Sequence, residues 1–134
     1  FMVWHPVKYA TLLAENLKKH NATVWLVNTG WTGGPASQQG TKRISLKYTR
    51  AMIDAIHSGE FLAANAWTKS PYFGFEVPQK CSSVPDDVLV PQKIWKDEAA
   101  YDAQLKNLAN MFIKNFKQFQ DKAGADIVSG GPSV

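Results

Sequence analysis

Lys42, Arg43, Lys47 and Arg50 put four cations within nine positions, interleaved with Ile44, Ser45 and Thr49. A guanidinium is a flat cation that stacks on an aromatic heterocycle, an aliphatic neighbour adds apolar surface, and a hydroxyl one helical turn further on adds a hydrogen bond. The run Lys42-Arg43-Ile44-Ser45 with Thr49 therefore has the chemistry to hold an adenine-type ring, with Arg43, Ile44 and Thr49 as the contacting residues. A solvated basic helix start is the alternative, because the phosphate-cradling pattern G-x-x-x-x-G-K-[ST] is not met: Gly40 is followed by Thr41 and only then by Lys42.

Other residue groups fit chemistry less well. His5, His20 and His57 have no second ligand at metal spacing. No G-x-S-x-G is present, and Cys81 has no basic neighbour beyond Lys80. Asp86-Asp87 and Asp97-Glu98 are adjacent carboxylates whose side chains diverge, which favours turn and cap roles over a shared proton. No catalytic residue and no metal ligand is assigned from the sequence, and binding is what remains.

The basic run has to be positioned by what precedes it. Val24-Trp25-Leu26-Val27 is a continuous apolar run with β-branched residues, expected as a strand covered on both faces. Gly30 to Gly40 carries four glycines and Pro35, so the backbone there can take positive φ and approach a ligand closely. Ser45 is a candidate N-cap for a helix over Leu46–His57, which presents Thr49, Met52, Ile53 and Ile56 on one face and stops at Ser58-Gly59. The free N–H groups at its start would add to the attraction for anions.

Upstream, Phe1 to Trp4 reads as a strand, and Pro6 opens a helix to about Lys19 with Ala10, Leu13, Ala14 and Leu17 as its buried stripe. Strand, helix, strand predicts a βαβ unit in which Phe1–Trp4 and Val24–Val27 are parallel neighbours. The apolar start without Met at position 1 leads us to expect the carboxy-terminal piece of a longer polypeptide. Downstream, Tyr72 to Val77 alternates as a half-buried strand, and Cys81 to Lys96 is expected as an ordered wrap anchored by Val84, Val88, Leu89, Ile94 and Trp95. Asp97 caps a long helix to about Gln120 with Tyr101, Leu105, Leu108, Phe112, Phe116 and Phe119 as core, and Gly130–Val134 is a flexible tail.

The 134 residues allow one core and not two ordinary domains. A net charge of +4 suits an anionic partner, but no block of five like charges appears, so a small phosphorylated ligand fits as well as a nucleic acid. A single cysteine and the lack of an apolar run near eighteen residues predict a soluble protein of a reducing compartment.

The ordered series Phe1-Met2-Val3-Trp4-His5-Pro6, Leu26-Val27-Asn28-Thr29-Gly30-Trp31-Thr32-Gly33, Lys42-Arg43-Ile44-Ser45, Tyr48-Thr49-Arg50-Ala51 and Phe112-Ile113-Lys114-Asn115-Phe116 resembles the ATP-dependent phosphoenolpyruvate carboxykinases over nearly the whole chain. The resemblance is to their last quarter. It implies an α/β fold, with residues 1–134 as the C-terminal portion of the carboxykinase nucleotide-binding domain, incomplete at its N-terminus and containing the βαβ unit and the long C-terminal helix. It implies a cytoplasmic lyase of gluconeogenesis that decarboxylates oxaloacetate and uses ATP to give phosphoenolpyruvate, ADP and carbon dioxide, with Mg²⁺ and Mn²⁺.

In the family, the Arg-Ile pair and the following Thr contact the nucleotide, which carries over to Arg43, Ile44 and Thr49. The phosphate-binding loop, the metal ligands and the arginine that holds oxaloacetate lie upstream, so this segment is not expected to be active alone. Pro35-Ala36-Ser37-Gln38-Gln39 departs from the loop of many members. ATP and ADP are the expected partners, with oxaloacetate and phosphoenolpyruvate engaged through upstream residues, no nucleic acid, no membrane, and the oligomeric state left open. A stand-alone nucleotide or nucleic-acid binding module is the alternative; the first needs its own phosphate cradle and the second needs aromatics interleaved with cations on an exposed face.

Overall fold

A computed structural model describes residues 2–63 and 66–134. His5 accepts a hydrogen bond on Nδ1 from the Val7 N–H (3.3 Å) and so caps α1 (Pro6–His20), where Pro6 occupies a position whose N–H would be unpaired anyway. Asn21, at φ 48°, closes it in the left-handed conformation.

The expected βαβ unit is not formed. Met2–Trp4 and Val24–Val27 carry no strand, and Phe1 lies outside the described residues. Among the described residues no backbone–backbone hydrogen bond joins either run to another segment, and a strand exists only through such a ladder. Val24 and Leu26 are exposed, while Trp25 alone turns inward against Phe61 and Trp67, with ring centres 5.6 and 6.0 Å away. The α1 stripe is likewise not buried: Ala10 and Leu17 are half-buried but Leu13 and Ala14 are exposed, since nothing among the described residues covers that face.

Among the described residues the sheets are two antiparallel hairpins. In the first, β1 (Trp31–Thr32) pairs with β2 (Lys42–Arg43) in the register Trp31 opposite Arg43 and Thr32 opposite Lys42. Ser45 then caps α2 (Leu46–Ser58) as expected, accepting from the Lys47 N–H at 3.3 Å, and Gly59 ends it at φ 79°. A short α3 (Glu60–Ala63) folds Phe61 back against α2.

The second hairpin joins β3 (Trp67–Lys69) to β4 (Glu76–Pro78). The strand expected over Tyr72–Val77 therefore starts later. Pro71 and Gly74 make residues 71–73 a turn, with Tyr72 (φ 62°) and Gly74 (φ 68°) both left-handed, and Phe73 and Phe75 stack at 5.9 Å across it.

The wrap from Cys81 is a bridge of Cys81 to Val84, then α4 (Asp86–Leu89) and a 3₁₀ turn at Pro91–Ile94. Val84 and Leu89 are buried as expected; Val88, Ile94 and Trp95 are half-buried. Val84 and Leu89 close a small core with Ala55, Phe61 and Cys81, flanked by Trp25, Met52, Trp67 and Val88, while Ile94 and Trp95 lie outside that cluster.

Asp97 caps α5 (Glu98–Phe116), its carboxylate accepting from the N–H groups of Ala99 (2.9 Å) and Ala100 (3.1 Å). The helix stops at Phe116, short of Gln120. Its aromatic stripe is only partly core: Ala109 is the buried residue, Tyr101, Leu105, Phe116 and Phe119 are half-buried, and Leu108 and Phe112 are exposed. Phe112 meets Phe73 edge-on at 5.6 Å, so the stripe packs against the hairpin turn at the periphery. After α6 (Ala125–Ser129) the tail is tied down, with the Ser133 N–H donating to the Tyr72 carbonyl at 2.9 Å. The coarse expectation of mixed helix and sheet holds, with small antiparallel hairpins in place of a parallel pair.

Candidate nucleotide contact

The site is built on the first hairpin. Gly33 (φ 84°) and Gly34 (φ 147°) turn the chain out of β1 in backbone geometry that an L side chain resists. The loop then ties itself together: the N–H of Gln38 donates to the Pro35 carbonyl (2.9 Å), and the Thr41 hydroxyl lies 2.7 Å from the Gln38 carbonyl and 3.1 Å from that of Pro35. A Cβ on Gly34 would fall 2.6 Å from the movable Gln38 Oε1 and 3.0 Å from Thr41 Cγ2, and with φ at 147° the backbone itself favours glycine here.

The chain returns through Lys42 and Arg43, and the Ile44 N–H extends the pairing by donating to the Gly30 carbonyl at 3.0 Å. Gly30 is itself fixed by the Asn28 side chain, whose Oδ1 accepts from its N–H at 3.3 Å.

The three residues singled out in the sequence are separated by this geometry. Arg43 is exposed, with its guanidinium carbon 5.9 Å from the centre of the Trp31 ring. Ile44 is half-buried and lines a cleft of about 580 Å³, together with Trp25, Trp31, Met52, Trp95 and Tyr101. Thr49, half-buried in the first turns of α2, is not part of the cleft wall, and its hydroxyl donates back to the Ser45 carbonyl at 3.4 Å. Of the three, Ile44 alone lines the cleft; Arg43, like Thr49, is not part of its wall and adjoins it only through its chain neighbour Ile44 and its cross-strand partner Trp31, both of which line it.

Sequence reasoning passed over Trp31 as a partner of Arg43. The signal was present: a glycine-rich loop between two short runs is a hairpin pattern, and a hairpin register brings residues either side of the loop face to face.

Burial, with a smaller contribution from the Asp102 charge, pushes the Tyr101 phenol above its ordinary value, so it lines the cleft as a neutral donor. Its ring meets Trp95 edge-on at 5.5 Å. Among the described residues no three His, Cys, Asp or Glu side chains come together as a metal-binding group. No helix among them is long and apolar enough to cross a membrane.

Fold and site define a mixed helix-and-sheet protein with an exposed arginine paired across a hairpin from a tryptophan that lines an aromatic cleft. A profile of the phosphoenolpyruvate carboxykinase family matches residues 1–87, and the chain belongs to that family. It is 53% identical over 132 residues to the phosphoenolpyruvate carboxykinase (ATP) of Dictyostelium discoideum, covering 98% of this chain and 23% of that protein. It is 46% identical to the enzyme of the same name from Candida albicans, and 46% identical to phosphoenolpyruvate carboxykinase (ATP) 2 of Salinibacter ruber, covering 100% of this chain and 24% and 25% of those proteins. The chain spans about a quarter of the length of these relatives.

Proposed function

We propose that this chain forms the C-terminal, nucleotide-contacting portion of the nucleotide-binding domain of an ATP-dependent phosphoenolpyruvate carboxykinase. The reaction converts oxaloacetate and ATP to phosphoenolpyruvate, ADP and carbon dioxide, a cytoplasmic step of gluconeogenesis. The observation that carries this chain's part is that Arg43 stands next to Ile44 and across the hairpin from Trp31, two residues that line the cleft.

In this reading the Arg43 guanidinium stacks on adenine, Ile44 packs against the ring edge, and Thr49 hydrogen-bonds nearby. The Thr49 hydroxyl already donates its proton to the Ser45 carbonyl through a long 3.4 Å bond, and its oxygen lone pairs remain free to accept from a ligand N–H. Binding of this kind positions the phosphates but does not itself drive phosphoryl transfer.

The Mg²⁺ and Mn²⁺ that the reaction uses supply charge neutralisation on the transferring phosphoryl group. The described residues of this chain do not fit such ions, because no metal-ligating group is assembled among them. Neither the metals nor the oxaloacetate carboxylates are assigned contacts here. Exposed apolar side chains such as Val3 (88%) and Leu26 (74%), together with the quarter-length coverage of the relatives, support packing of this chain against further polypeptide.

The test is Arg43→Ala and Arg43→Lys in the full-length enzyme. Loss of one stacked guanidinium, worth about 1–2 kcal/mol, raises the KM for ATP roughly 5–30-fold while that for oxaloacetate moves much less. Lysine rescues poorly because it lacks the plane. An unchanged nucleotide affinity, or a loss confined to oxaloacetate, overturns the reading.

A further inference from the structure

We propose that Trp31 is a positioning residue for Arg43, forming the backing plane of an indole–guanidinium–adenine stack; the inference rests on the adenine reading above. Three observations converge on it. The register of the first hairpin sets Trp31 directly opposite Arg43, so both side chains leave the same face of the ribbon. The register is held beyond the two-residue strands by the Ile44 N–H on the Gly30 carbonyl at 3.0 Å and by the self-tied loop. The guanidinium lies 5.9 Å from the indole centre, within the ~6 Å reach of a cation–π contact.

No carboxylate pairs with Arg43 among the described residues, and the indole of Trp31 is the group its guanidinium faces. Trp31 also lines the cleft beside Ile44, while remaining 49% exposed. A guanidinium has two faces. Held against the indole on one, it would offer the other to a ligand ring, and an arginine already confined would lose less rotamer freedom when that ring arrives. An ion-paired arginine would have to break its pair first, and a free one would have to be ordered from solvent.

The inference is tested in the full-length enzyme with Trp31→Phe, Trp31→Leu and Trp31→Ala, each alone and combined with Arg43→Ala. KM for ATP and for oxaloacetate are measured, with ADP affinity by calorimetry. Trp31→Ala and Trp31→Leu should each weaken ATP and ADP binding about 2–5-fold, with kcat at saturating ATP and the oxaloacetate KM little changed. Trp31→Phe, which keeps a π face, should retain most of the affinity.

In the Arg43→Ala background the Trp31 substitutions should have no further effect, because a residue acting through another cannot be felt once that other is gone. Full rescue by leucine, or losses that simply add in the double variant, overturn the positioning role and leave an apolar packing role. If Arg43→Ala is itself silent towards nucleotide, the adenine reading fails first and this inference falls with it, a result distinguishable from additivity.

Discussion

The Tyr72 hydroxyl sits 3.0 and 3.2 Å from the two carboxylate oxygens of Asp102, thirty residues further along the chain, and fastens the turn of the second hairpin to α5. Tyr72 holds a left-handed backbone, rare for a bulky residue, and its carbonyl accepts the Ser133 N–H of the tail. One residue therefore joins three parts of the chain. The hydrogen bond to Asp102, then some burial, then the Asp102 charge, raise the Tyr72 phenol above its usual value near 10. A group whose value is raised on folding stabilises the fold below its unfolded value, and that contribution is lost as pH climbs through the folded value. Melting wild type and Tyr72→Phe side by side should show the variant less stable from pH 7 to about 9.5, with the gap closing above that range. A gap that persists at high pH would mean the tie is not a hydrogen bond from the neutral phenol.

Gly34 is expected to be intolerant of any side chain. Alanine there combines φ 147° with contacts at 2.6 and 3.0 Å to Gln38 and Thr41, the residues that close the loop. Strain of this kind costs about 1–3 kcal/mol. In the full-length enzyme, Gly34→Ala should lower Tm and also raise the KM for ATP, since the loop sets the hairpin register. A stable variant with normal ATP affinity would show that the loop is free to rearrange.

Cys81 should resist thiol reagents in the native protein. It is buried at 6% exposure, and burial first, then the Glu60 charge, hold its thiol above the ordinary range, so little thiolate is present at pH 8. Labelling is expected only once denaturant opens the core with Ala55 and Phe61. Rapid labelling under native conditions would contradict the packing described.

Asp97 caps the longest helix with two N–H bonds. Asp97→Ala should cost about 1 kcal/mol, and Asp97→Asn, which keeps the acceptor, much less. Equal effects of the two substitutions in denaturant melts would show that the oxygen does not cap.

Local chemistry was legible in the sequence because it depends on neighbours a few positions away. Ser45 and Asp97 cap the helices they were expected to cap, Pro6 opens α1, Gly59 closes α2, and Val84 and Leu89 are anchors. The family could also be read from ordered motifs, and the match over residues 1–87 bears it out. Pairing and burial were not legible, because both need a partner from elsewhere. Val24–Val27 has the composition of a buried strand but no ladder among the described residues, and the stripes of α1 and α5 have helical periodicity without a surface to cover all of it. Composition states what a segment can bury; only the tertiary arrangement decides what is there to bury it against. Arg43 shows the same division, since its residue type named the chemistry, and only the hairpin register set it over Trp31 and beside the cleft that Ile44 lines.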